Sequence, residues 1–364
     1  MASTTPRASR RAFLGAVLAS GAVLGLGGLL TACDGSGGNG GNGGSRGRGG
    51  GASAAATPRP PAVQQGGDHL AVVERTRGFG TDAAAGVFPR TVTHAMGSTV
   101  IPARPVRVVV LDTGELDNVV ALGVQPVGVA YADGSTAVPA YLKDRAGSPA
   151  PVGTVSGIDL GAVAALKPDL ILGSTLRAQD QYAALSKIAP TVFSIRPGYP
   201  WKENFALNAV PFGLEAEARA QLDAYRSTAG EIGRALGGRK PTVTPLRFMP
   251  GRIRLYTGLS FIGTVLADIP LPQPRIEQVK ELAVEVGAEQ IEQADADWVF
   301  YGSYGPPGST GQDAVLGGAR WKSLGAVKSG RVRQVSDETW FLGLGVLAAG
   351  AVLSDLKASV VSGA

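Results

Sequence analysis

Leu214-Glu-Ala-Glu-Ala-Arg-Ala-Gln-Leu-Asp-Ala-Tyr-Arg-Ser-Thr-Ala-Gly-Glu-Ile-Gly-Arg-Ala-Leu236 carries apolar residues near helical spacing, holds no proline and stops at Gly237-Gly238. A helix of that length would run roughly 34 Å, enough to cross a domain. The segments on either side give it its meaning.

Upstream, Phe88-Pro-Arg-Thr-Val-Thr-His94 and Ser98-Thr-Val-Ile101 read as two short alternating strands joined around Gly97, a hairpin. Arg107-Val-Val-Val-Leu111 is apolar on both faces, as in a parallel sheet covered by helices. Strand and helix patterns then alternate: helix over 116–122, strand over 127–130, helix over 160–166, strand over 169–172, helix over 178–188, strand over 191–195. Downstream, 252–257, 297–301 and 331–335 read as strands, and 276–286, 288–293 and 344–361 as helices. This alternation implies βαβ units and open α/β sheets. The stretches 160–174 and 288–303 each read helix, acidic turn, apolar strand, Gly-Ser, which fits two Rossmann-like α/β lobes facing each other across a cleft.

The N-terminus is of another kind. Ser9-Arg10-Arg11-Ala12-Phe13-Leu14 has the form of a twin-arginine export signal. The uncharged run from Ala16 to Leu30 is short for a membrane span, and Leu30-Thr31-Ala32-Cys33 matches a lipoprotein cleavage site, so Cys33 is expected to carry lipid and anchor the chain to the outer face of the membrane. Cys33 is the only cysteine, which leaves none for a disulfide, a thiolate metal site or a thiol nucleophile. Residues 35–51 contain eleven glycines and 52–61 continue with small residues and prolines; no core can form there. The expected organisation is a signal peptide over 1–32, an anchor and tether over 33–85, a first lobe over 86–213, a connecting helix over 214–237 and a second lobe over 238–364.

The 364 residues are 44% hydrophobic and 17% charged, a globular composition. Removal of Arg7, Arg10 and Arg11 with the signal would leave 31 basic against 29 acidic side chains, so charge gives no argument for nucleic-acid binding.

The stretches Phe88–His94 with the following hairpin, Ala164-Ala-Leu-Lys-Pro-Asp-Leu-Ile-Leu172, Leu185-Ser-Lys-Ile-Ala-Pro-Thr-Val192 and Trp321-Lys-Ser-Leu-Gly-Ala-Val-Lys-Ser-Gly-Arg-Val332 resemble the iron-siderophore binding proteins of ABC importers, in order, over about residues 86–360. The resemblance implies two α/β lobes joined by a single long helix, with a ligand cleft between them, acting as a non-enzymatic monomer. The implied partners are a ferric siderophore and a membrane permease, with no cofactor beyond the lipid on Cys33. Cobalamin or haem would suit the same fold, and a ligand-free surface interaction protein is the alternative of a different class.

In open α/β sheets ligands bind beyond the carboxyl ends of the strands. That rule selects Arg177, Arg196 and Trp201 in the first lobe and Phe261, Tyr304 and Trp340 in the second, with Arg252, Arg254 and Tyr256 on one face of a strand as secondary candidates. Guanidinium groups donate paired hydrogen bonds to adjacent oxygens without competing for the iron, and rings would cover the chelator's organic frame. The plain alternative is solvated arginines and a core tryptophan. With only His69 and His94 the chain lacks the ligands for bare zinc or manganese, and Gly258-Leu-Ser260-Phe-Ile-Gly263 has no histidine placed to activate the serine. The resemblance also implies docking to a permease through one acidic residue per lobe. Glu289 fits in the second lobe; in the first, Gly161 stands where glutamate is usual, and Asp159 is either its substitute or a helix cap.

Overall fold

A computed structural model of the protein describes residues 69–274 and 279–363. The export signal, Cys33 and the glycine-rich stretch lie outside the described residues. The helix His69–Thr76 and Gly80, which bridges to Thr93 of β1, fall inside the stretch expected as tether, so regular structure begins earlier than residue 86.

Strands β1 (Arg90–His94) and β2 (Gly97–Ile101) form the expected antiparallel hairpin. The first lobe follows: β3 (Val108–Val110), β4 (Gly128–Tyr131), β5 (Ala150–Thr154), β6 (Gly157–Ile158), β7 (Leu170–Ser174) and β8 (Thr191–Ser194). They form one sheet in the order β6-β5-β4-β3-β7-β8, parallel except for the β5/β6 edge. Val108, Val109 and Val110 are fully buried, as an apolar strand covered on both faces must be.

The second lobe holds β9 (Val243–Met249), β10 (Arg252–Tyr256), β11 (Ala283–Val286), β12 (Trp298–Ser303) and β13 (Val332–Gln334), ordered β11-β10-β9-β12-β13. Here β12 runs parallel to β9 and β13, while β10 is antiparallel to both of its neighbours. Two expectations fail. The helix expected over 276–286 is partly outside the described residues, and its end is strand β11; Ala-Val-Glu-Val alternates, and the pairing with β10 decides it. Residues 178–188 do not make one helix but a short helix, a turn and the helix Tyr182–Ile188.

The helix Glu215–Ala235 is the single crossover from the first sheet to the second. Ala218, Leu222, Tyr225, Ala229 and Ile232 are its buried residues, alternately four and three apart, which is one apolar stripe. The stripe joins a core that takes Trp201 and Phe205 from the helix Trp201–Ala209, Phe261 and Val265 from the helix Phe261–Asp268, and Phe300 and Trp340 from the second lobe. A polar tie adds to it: Asp117, wholly buried in the first-lobe helix Thr113–Ala121, accepts hydrogen bonds from the backbone N–H groups of Leu347 and Ala348 at 2.9 Å each and so caps the second lobe's helix Val346–Leu356.

Candidate functional site

A cavity of about 430 Å3 opens between the lobes. First-lobe residues reach it from the ends of β7 and β8. Arg177 follows β7 on a four-residue helix, and its Nε donates to Asp112 Oδ2 at 2.7 Å. Asp112, at the end of β3, is buried and also accepts from the N–H of Thr113, so it holds the guanidinium while capping a helix. Arg196 follows β8 on the same rim; burial and the charge of Arg177 both lower its proton affinity. Glu115 lies behind this pair, fully buried. Desolvation, with the charge of Asp112 second, pushes its carboxyl up to about 7, and Ser194 Oγ donates to it at 3.3 Å.

From the second lobe, β9 and β10 present a shared face. Arg247 and Arg254 are directly opposite one another in the β9/β10 register, and Arg254 faces Glu285 in the β10/β11 register. Like charges placed across from each other repel, so each arginine needs its own anion. Arg247 forms a two-pronged pair with Asp337, Nε to Oδ1 at 2.6 Å and Nη2 to Oδ2 at 2.5 Å. Arg254 Nε donates to Glu285 Oε1 at 2.9 Å, and Arg252 Nη1 stands 3.6 Å from the same oxygen. The Arg247 guanidinium also covers the Tyr304 ring at 4.5 Å.

Of the residues chosen from sequence, Arg177, Arg196, Arg252, Arg254, Tyr256, Phe261 and Trp340 line this one cavity. Trp340 does so from inside the core: it has no exposed surface, stacks on Phe300 at 4.8 Å and donates its indole N–H to Asp355. Two residues are placed elsewhere. Trp201 is fully buried, its indole N–H donating to Thr264 Oγ1 at 2.9 Å and its ring edge-on to Tyr225 and Phe261; it is core, because it opens a helix packed on the connecting helix rather than standing in the rim loop. Tyr304 lies beside the cavity and bridges the lobes, its hydroxyl donating to the Asp133 carbonyl at 2.5 Å. Arg247 is the residue that sequence reasoning missed. The signal was a lone arginine in the otherwise apolar run Pro245-Leu-Arg-Phe-Met249, all of which is buried.

Glu289 is exposed at the start of the helical turn Ala288–Ala294. Asp159 is exposed too, but its Oδ1 accepts from the Ala162 N–H at 3.0 Å and caps the helix Leu160–Ala165.

The profile of the periplasmic binding protein family matches residues 108–339, from β3 into the short helix Asp337–Trp340 after β13. The chain is 32% identical over 281 residues to a probable siderophore-binding lipoprotein of Bacillus subtilis (strain 168), YfiY, covering 74% of this chain and 86% of that one. It is 26% identical to the Fe(3+) dicitrate-binding periplasmic protein FecB of Escherichia coli (strain K12), over 74% of this chain and 89% of the other. Among solved structures, Staphylococcus aureus SirA complexed with staphyloferrin B superposes with a TM-score of 0.67 at 27% identity, covering 74% of this chain and 98% of SirA. Two α/β lobes, one crossover helix and a cleft walled from both sides are thus accompanied by kinship along most of their length, and the chain belongs to the periplasmic binding protein family.

Proposed function

We propose that the protein binds a ferric siderophore in the cleft between its lobes and delivers it to an ABC importer for iron uptake. The observation that carries this reading is the convergence of guanidinium groups from both lobes on one cavity of about 430 Å3, within the size range of small-molecule sites. An iron chelate presents clustered oxygens, often with net negative charge, and guanidinium is the side chain that matches them. The relatives named for siderophore and ferric dicitrate binding support it. Calorimetric titration with a panel of siderophores, each with and without Fe(III), tests the reading; heat from ferric forms is expected, and no response to any of them would overturn it.

The paired arginines Arg10 and Arg11 and the single Cys33 support export and lipid anchoring, in keeping with a relative named as a lipoprotein. For docking, Glu289 is exposed on the second lobe, whereas Asp159, exposed on the first, already uses Oδ1 as a helix cap, so contact with the importer is assigned mainly to the second lobe. Glu289→Ala should slow uptake of the iron chelate in cells while leaving affinity in solution unchanged. An unaltered uptake rate would remove Glu289 from that role.

A further inference from the structure

Resting on the reading above and narrowing it, we propose that the cleft is built for a carboxylate-bearing, non-aryl ferric chelate, of the α-hydroxycarboxylate type, in preference to aryl catecholates, cationic trihydroxamates or haem. Three observations converge. First, Arg177, Arg196, Arg247, Arg252 and Arg254 line the cavity, and no aspartate or glutamate does among the described residues. The carboxylates that hold them, Asp112, Asp337 and Glu285, stand behind the wall. A cationic guest would meet a lining of like charge, the exposed Asp133 near Arg177 standing outside that lining.

Second, two of those pairings use the inner edge of the guanidinium. Arg177 and Arg254 are held through Nε, and no hydrogen bond to their terminal nitrogens is found among the described residues. A terminal pair of N–H donors fits the two oxygens of a carboxylate.

Third, the rings around the cavity are sealed into its floor. Trp340, Phe261, Tyr256 and Phe341 are between 0% and 6% exposed, whereas the side chains of Arg177 and Arg252 are 32% and 40% exposed. A guest therefore touches mainly guanidinium and aliphatic surface, such as Leu176 at 44% exposure, since among the described residues no ring lining the cavity is more than 6% exposed and the partly exposed Tyr304 ring beside it is covered by Arg247.

The test is calorimetric titration of the mature protein with ferric citrate, a ferric tris-catecholate, a cationic ferric trihydroxamate and haemin, at low and high salt. Ferric citrate is expected to bind at least about ten-fold more tightly than the others, and its affinity to drop several-fold as salt rises. Arg252→Met and Arg177→Met should each weaken it by about ten-fold. Arg252 is the safer probe, since Glu285 keeps Arg254 as its partner and the fold does not depend on the change. Tighter binding of the catecholate or the trihydroxamate would overturn the carboxylate assignment and leave ferric-chelate binding standing. Binding of haemin alone, or of none of the four, would overturn both.

Discussion

Glu115 sits fully buried one turn into the helix that Asp112 caps, with Asp112, Arg177 and Ser194 as its charged and polar neighbours. Desolvation first, and the Asp112 charge second, raise its carboxyl from 4.5 to about 7. A folded state that keeps its proton to higher pH than the unfolded chain is favoured at low pH. The contribution is fully present below about 4.5 and is lost as pH climbs to about 7, a swing on the order of 3 kcal/mol. Glu115→Gln removes the titration and nearly keeps the shape. Melting temperatures followed from pH 4.5 to 7.5 should therefore show the variant gaining on the wild type as pH rises; parallel curves would rule the effect out. Arginines divide in the same residue-by-residue way. Arg247→Met leaves the largely covered Asp337 side chain, 12% exposed, without its two-pronged partner, a loss of about 3 kcal/mol. Arg252→Met touches a side chain that is 40% exposed and 3.6 Å from its carboxylate, and should cost under about 1 kcal/mol. Urea unfolding of both variants checks the contrast, and equal losses would contradict it. Sequence could point to Arg177 because its place just after a strand is visible in it, and to Arg252 because the alternating face of a strand is. It could not separate Trp201 from a rim residue, since burial of an indole depends on which helices pack over it.

Elements were legible where one local pattern sufficed. The crossover helix is such a case: its apolar spacing, absence of proline and terminal Gly237-Gly238 set its ends to within a residue of Glu215–Ala235. Strand β9 was hidden because Pro245 interrupts it; the β9/β10 ladder stops at the Leu246–Leu255 pair, so Pro245 stands beyond it, matched only by Phe300 of β12. Strand β11 was misread because Ala-Val-Glu-Val satisfies both a helical and an alternating reading, and only the partner strand decides between them. The crossover helix also carries an internal weakness. Gly230 and Gly233 lie in its last two turns, and a Cβ at Gly230 would meet only the far end of Arg234 at 3.5 Å, an ordinary contact. Gly230→Ala should then stabilise the protein by about 0.5 to 1 kcal/mol, chiefly by restricting the unfolded chain. A chemical denaturation midpoint that moves down instead of up would show that the helix needs the smaller residue.

At the scale of the whole molecule the two lobes are tied by more than the crossover. Thr113 Oγ1 donates to the Leu342 carbonyl at 2.5 Å, the Ala140 N–H to Glu338 at 2.9 Å, Tyr304 to Asp133, and the N–H groups of Leu347 and Ala348 to Asp117. One apolar core runs from Trp201 and Phe205 through the crossover helix to Phe300 and Trp340. A hinge that opened the cleft widely would have to break these bonds or expose that core, and packed interfaces of this kind move by small shear instead. Binding a ferric chelate should therefore tighten the rim around Arg177 and Arg252 while leaving the angle between the lobes almost unchanged. Small-angle scattering of the protein, with and without a bound ferric chelate, should give superimposable profiles at low angle. A clear fall in the radius of gyration on binding would mean that the lobes close as separate bodies. In that event the bonds at Thr113, Asp117 and Tyr304 would be contacts of one state rather than fixed ties.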